Sequence, residues 1–133
     1  MRGLVRIEEK ENYLYCIAEH FDNTFENKLT FAEDILKVCQ KTRKGKIFID
    51  FTANHESTNA TSKAMTGIQL EELLLHFQRY FGITLRISVL GSPTRILSTY
   101  KPLQETLNIS GIPFASFTDD KEAREWLFKD ESD

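Results

Sequence analysis

The stretch Ile83-Thr84-Leu85-Arg86-Ile87-Ser88-Val89-Leu90-Gly91-Ser92-Pro93 constrains this chain more than any other. Ile83, Leu85, Ile87 and Val89 alternate with Thr84, Arg86 and Ser88, the two-residue period of a half-buried strand. Gly91 then frees the backbone, Ser92 suits a helix N-cap, and Pro93 suits the first helical position. A strand that passes into a helix this directly is one arm of an α/β layer.

The other segments extend the same alternation of strand and helix. Gly3 to Glu9 reads as a strand with Val5 and Ile7 on one face. Lys10-Glu11-Asn12 is a polar turn, and Tyr13 to Ala18 is a second strand, so the pair forms a hairpin. Phe21 to Gln40 reads as a helix whose stripe runs through Phe25, Leu29, Ala32, Leu36 and Cys39, broadened by Ile35 and Val38. Its entry has two candidates, Thr24, or Thr30 with Glu33 as a capping box. Gly45 is expected to end it. Lys46 to Phe51, interrupted by Asp50, has the apolar density of a central strand.

Thr52 to Thr61 is a polar loop. A helix then runs through Phe81, with Leu70, Leu73, Leu74, Phe77 and Phe81 on one face, Gly67 interrupting it and Gly82 closing it. After Ser92 a stripe of Ile96, Tyr100, Leu103 and Leu107 stays in phase across Pro102, which predicts a kinked helix. Gly111-Ile112-Pro113 turns the chain into a short strand, Phe114 to Phe117. Thr118 or Asp119 caps a last helix, Asp119 with Glu122 giving an acidic box, and Ala123, Trp126 and Leu127 pack it down. Lys129 to Asp133 is a polar tail.

The order β-β-α-β-α-β-α-β-α predicts an α/β fold, with a single mixed, mostly parallel sheet and packed helices in one domain spanning residues 1–133. Val5, Ile17, Ile47, Ile49, Leu74, Phe77, Leu85, Ile87, Leu103 and Trp126 are the expected core. The net charge of -3 argues against a dedicated nucleic-acid binder, which needs a basic surface. Lys41, Arg43, Lys44 and Lys46 do cluster, but at a helix end, where cations are favoured anyway. Cys16 and Cys39 fall in apolar patterns and read as small core residues, which suits a reducing cytoplasm. No apolar run approaches a membrane span, so a cytoplasmic protein is expected.

The ending Phe114-Ala115-Ser116-Phe117-Thr118-Asp119-Asp120-Lys121-Glu122-Ala123-Arg124-Glu125-Trp126-Leu127, together with the element order, resembles the STAS-like family, the fold of the bacterial anti-sigma-factor antagonists. The likeness is closest to the stand-alone bacterial members. It implies a non-catalytic regulatory module that binds a protein partner. In the antagonists, a serine at the start of the helix after the central strand is phosphorylated and controls docking. Here Asp50-Phe51-Thr52-Ala53-Asn54-His55-Glu56-Ser57-Thr58 replaces the Asp-Ser-Ser-Gly-type turn of that family. Ser57 and Thr58 are the candidate acceptors, but Glu56 repels a phosphate beside it, so the expected partner binding is constitutive.

Functional loops in open α/β sheets lie at the carboxyl ends of the strands. That rule selects Asn54, His55, Glu56, Ser57 and Thr58 in one loop, and Ser92, Thr94 and Arg95 in the other, as the partner or ligand site. Asp50, His55 and Glu56 follow no metal-site spacing, no cofactor motif is present, and no catalytic residue is assigned. Phe77, Tyr80 and Phe81 crowd one helix end, where an exposed patch would suit a partner or an apolar ligand. Two alternatives stay open. One is a small-ligand or lipid-binding domain with a pocket near the carboxyl ends of the strands. The other is a hydrolase or transferase built on His55, Glu56 and Ser57. A protein partner or a second copy of the chain is the expected binding partner.

Overall fold

The structure, a computed structural model, describes residues 4–19, 25–51, 60–93 and 101–129, with side chains over 6–17, 30–51, 70–93 and 101–129. The elements are β1 (Leu4–Glu9), β2 (Leu14–Glu19), α1 (Phe25–Thr42), β3 (Lys46–Asp50), α2 (Ala60–Phe81), β4 (Arg86–Leu90), α3 (Lys101–Ile109), β5 (Phe114–Phe117) and α4 (Asp120–Leu127). This is the predicted order. The five strands form one mixed sheet in the order β1-β2-β3-β4-β5. β1 and β2 are antiparallel, and every later pairing is parallel. None of the described helices is long and apolar enough to cross a membrane.

Sequential strand order has a steric consequence. Right-handed crossovers that always step in the same direction place every crossover helix on the same side of the sheet. The packing agrees, because Leu36 and Cys39 of α1, Leu74 and Phe77 of α2 and Leu107 of α3 share one core cluster with Leu14, Ile47 and Ile87. Leu14, Ile47, Ile87 and Phe114 form a row across the sheet on that face. The next row, Tyr15, Phe48, Ser88 and Ala115, points the other way. There α4 covers Phe48 and Leu90 with Ala123 and Leu127.

Several expectations are corrected. Gly45 does not end α1. Arg43 takes the left-handed position at φ 62, its N–H donating to Cys39 O at 2.7 Å. Gly45 is needed because a Cβ there would overlap the Thr84 carbonyl oxygen. β4 begins at Arg86 rather than Ile83: Ile83 and Leu85 are buried, but the Leu85 N–H donates to the Gln78 side chain instead of a ladder partner. Tyr13 joins the hairpin turn, where Lys10 N–H donates to Tyr13 O at 2.9 Å. α2 runs unbroken through Gly67, and Ala60 and Thr61 are already helical.

α1 starts in keeping with the earlier of its two candidate entries, and Gly82 closes α2 at φ 68. Pro102 lies in the first turn of α3. The expected kink depends on residues 94–100, outside the described residues. Of the expected core, Ile47, Leu74, Phe77, Leu85 and Ile87 are buried. Ile17, Ile49, Leu103 and Trp126 are only half-buried, and the Val5 side chain lies outside the described residues. Ile17 shares a face with Tyr15 but lies outside the small cluster that α4 covers. Ile49 and Leu103 rim the large cluster, and Trp126 rims the small one.

Candidate functional site

The carboxyl edge of the sheet gathers the roots of both candidate loops. β3 and β4 end in register, with Asp50 beside Leu90. The Phe51 N–H then donates to Leu90 O at 2.9 Å, and the Gly91 N–H to Phe117 O at 3.0 Å. These bonds carry the pairing one residue past each strand. The Phe51 ring is held edge-on against Phe31 at 5.9 Å. The chain therefore leaves adjacent strands at one edge, after Phe51 and after Gly91. Ser92 is exposed at the root of the second loop. Asn54, His55, Glu56, Ser57, Thr58, Thr94 and Arg95 lie outside the described residues.

Sequence reasoning missed a polar cluster on the α4 side of the sheet, which runs from Asp50 at this edge back to Tyr13 at the amino edge. The Tyr15 hydroxyl donates to Asp50 Oδ2 at 3.1 Å. Burial, the Asp50 charge and this hydrogen bond push the Tyr15 phenol up to about 12. Tyr15 is therefore a neutral donor at neutral pH and orients the carboxylate at the tip of β3. Arg124 of α4 donates to Tyr13 Oη at 2.7 Å and to Asp120 Oδ1 at 2.5 Å. Its guanidinium lies 4.8 Å from the Phe48 ring centre and 5.5 Å from that of Tyr15. Burial lowers the Arg124 pKa, but the bonds to Asp120 and Tyr13 outweigh it and hold the group above its ordinary value. The signal in the sequence was the Tyr13-x-Tyr15 spacing, which puts two phenols on one side of the chain as it enters β2.

Cys16 and Cys39 are free and buried. Burial and the neighbouring Cys39 push the Cys16 thiol up, and burial pushes the Cys39 thiol up to about 12, so both stay protonated. No group of three metal-ligating side chains occurs among the described residues. The basic cluster sits at the opposite, amino edge, in an open depression. There Lys44 pairs with Glu9 at 2.6 Å, and Lys46 lies 5.4 Å from the Phe128 ring centre. Tyr80 is 73% exposed and stacks on His76, whereas Phe77 is buried and Phe81 half-buried. Compared with protein-family models and with curated proteins, the chain matches none.

Proposed function

We propose that this chain is a non-catalytic regulatory module that binds a protein partner constitutively through the carboxyl edge of its sheet, in the manner of the STAS-like family its sequence resembles. The observation that carries this reading is the adjacency of the two loop roots. Phe51 and Leu90 are bonded to one another, so segments 52–59 and 92–100 start one strand apart. One partner surface can then engage both loops. The sheet beneath them is rigid: Ile47, Phe48, Val89 and Leu90 are buried, and Asp50 is tied to Tyr15. A rigid base lowers the ordering cost that a loop-borne interface would otherwise carry.

Photo-crosslinking side chains placed at Ser57 and at Thr94 test the reading in the source cells. Both positions should trap the same protein, and a probe at exposed Lys121 on α4 should not. The trapped partner, purified, should bind the chain directly and lose affinity with His55→Ala or Arg95→Ala. Identical trapping from Lys121, or no direct binding, would count against the edge. Intact-mass measurement of the chain from the same cells tests constitutive binding. Stoichiometric phosphate on Ser57 or Thr58 would replace it with a switch.

A further inference from the structure

The two edges of the sheet are treated differently. At β5, side chains of α3 occupy the outward backbone groups. Asn108 Nδ2 donates to Phe114 O at 3.0 Å, and Asn108 Oδ1 accepts from the Phe114 N–H at 3.0 Å. Gln104 Oε1 accepts from the Ser116 N–H at 3.2 Å. These are the bonds a neighbouring strand would make, so that edge is closed. At the other edge β1 pairs with β2 alone among the described residues. An edge of this kind presents a row of backbone donors and acceptors to another strand. The crossover helices begin after β2, so β1 lies at the margin of their layer. Ile7 packs against the main core there, yet stays half-buried.

We propose that β1 is a dimerisation edge. Two copies of the chain pair β1 against β1, antiparallel, about a twofold axis through Ile7, and join their two sheets into one. An axis normal to the sheet makes one residue face its own copy, and the charges decide which. Centred on Ile7, Arg6 faces the partner's Glu8, Glu8 faces the partner's Arg6, and the two Ile7 side chains meet. Centred on Arg6, two guanidinium groups meet. Centred on Glu8, two carboxylates meet and Arg6 faces the partner's Lys10. Opposite charges directly across a strand pair stabilise it and like charges oppose it, so the Ile7 register is selected. Arg6 and Glu8 lie on one sheet face with their side chains 59% and 39% exposed. Within the chain Glu8 lies 3.9 Å from Arg6 and 3.0 Å from Lys10, so the pairs across the axis would extend an ion-pair row already present on that face. The pairing also completes the burial of Ile7. It uses a different edge from the proposed partner loops, so either proposal stands or falls without the other.

Sedimentation equilibrium of the full chain tests it, with Arg6→Glu, Glu8→Arg and the double exchange as variants. The full chain should dimerise. Each single change sets like charges opposite each other twice and should weaken the dimer about tenfold. The double exchange restores both pairs and should recover it. Mild oxidation of Ile7→Cys should give a disulfide-linked dimer, because the new thiols meet at the axis. Arg6→Cys should not, because its thiols are displaced along the strands. Cys16 and Cys39 are buried and do not compete. A chain that stays monomeric, a dimer indifferent to these changes, or stronger crosslinking through Arg6→Cys overturns the proposal.

Discussion

Arg43 and Gly45 lie two residues apart and carry opposite backbone demands. Arg43 holds φ 62, where a side chain costs roughly 1–2 kcal/mol, while its own contact is an exposed bond to Phe81 O at 3.5 Å. Arg43→Gly should therefore stabilise the fold, by about 0.5–1 kcal/mol after the greater freedom of glycine in the unfolded chain is counted. Gly45 has no room for a Cβ against the Thr84 carbonyl, and its own carbonyl accepts from the Arg86 N–H at 2.9 Å. Gly45→Ala should force strand β3 away from Thr84 and cost roughly 3 kcal/mol or more, read from the shift in the urea midpoint. Tyr15 gives a pH signature. Its pKa rises from 10.0 to about 12 in the fold, so folding favours the protonated phenol. The stability it contributes is complete below about pH 10 and is lost as the pH rises through about 12. Tyr15→Phe should lower stability near neutral pH, through the lost bond to Asp50, and flatten the decline above pH 10. Urea denaturation of both proteins across that range checks the sign, and an equally steep decline in Tyr15→Phe would assign it to other groups.

The docking of α4 shows how far local pattern carries an element and where it stops. The helix was legible because Asp119 is an N-cap, its Oδ2 accepting from the Glu122 N–H at 3.0 Å, and because Ala123 and Leu127 share one face. Its anchoring was not legible. Ser88, fully buried in β4, donates to Ala123 O at 2.9 Å, and Arg86 donates to Trp126 O while stacking 3.9 Å from that indole. The bonds from β4 to α4 span 35 and 40 residues, and the bond from Arg124 to Tyr13 spans 111. Periodicity reports which face is apolar and nothing about partners at that separation. The same reason hid Gln104 on Ser116 and the reassignment of Gly45, which depends on Thr84. The loop residues were selected by the rule for carboxyl edges. The structure has Phe51 and Gly91 at that edge, and of the loop residues selected Ser92 alone is among the described residues. Two substitutions test the anchors. Ser88→Ala should cost about 1 kcal/mol, the worth of one buried hydrogen bond. Arg86→Lys keeps the charge but loses the planar fork and the stacking, and should cost roughly 1–2 kcal/mol. Equal stability of Arg86→Lys and the unaltered chain in urea would show that the contact with Trp126 contributes nothing.

At the scale of the whole molecule, sequential winding creates a problem that the last helix solves. The three described crossover helices, all on one face, leave the opposite face of a central strand to be covered by something outside the winding. Phe48, in the middle strand, is fully buried, and its cover comes from α4. A doubly wound sheet would shield that face with its own crossovers, whereas here the shield is the eight-residue segment Asp120–Leu127. It is too short to be a stable helix in isolation, so its helicity depends on the sheet, just as the sheet's second face depends on it. The two should therefore form together. A chain cut after Thr118 should lose cooperative unfolding altogether and bind a hydrophobic dye such as ANS through the exposed Phe48, Leu90 and Phe117 face. Supplying the missing segment as a separate peptide should not restore the fold at ordinary concentrations, because the ordering cost is no longer shared within one chain. A truncated chain that kept a single sharp thermal transition and bound no dye would show that the larger core, around Leu14, Ile47, Ile87 and Phe77, holds the sheet by itself. The helix would then be an accessory cover that could move without unfolding the rest.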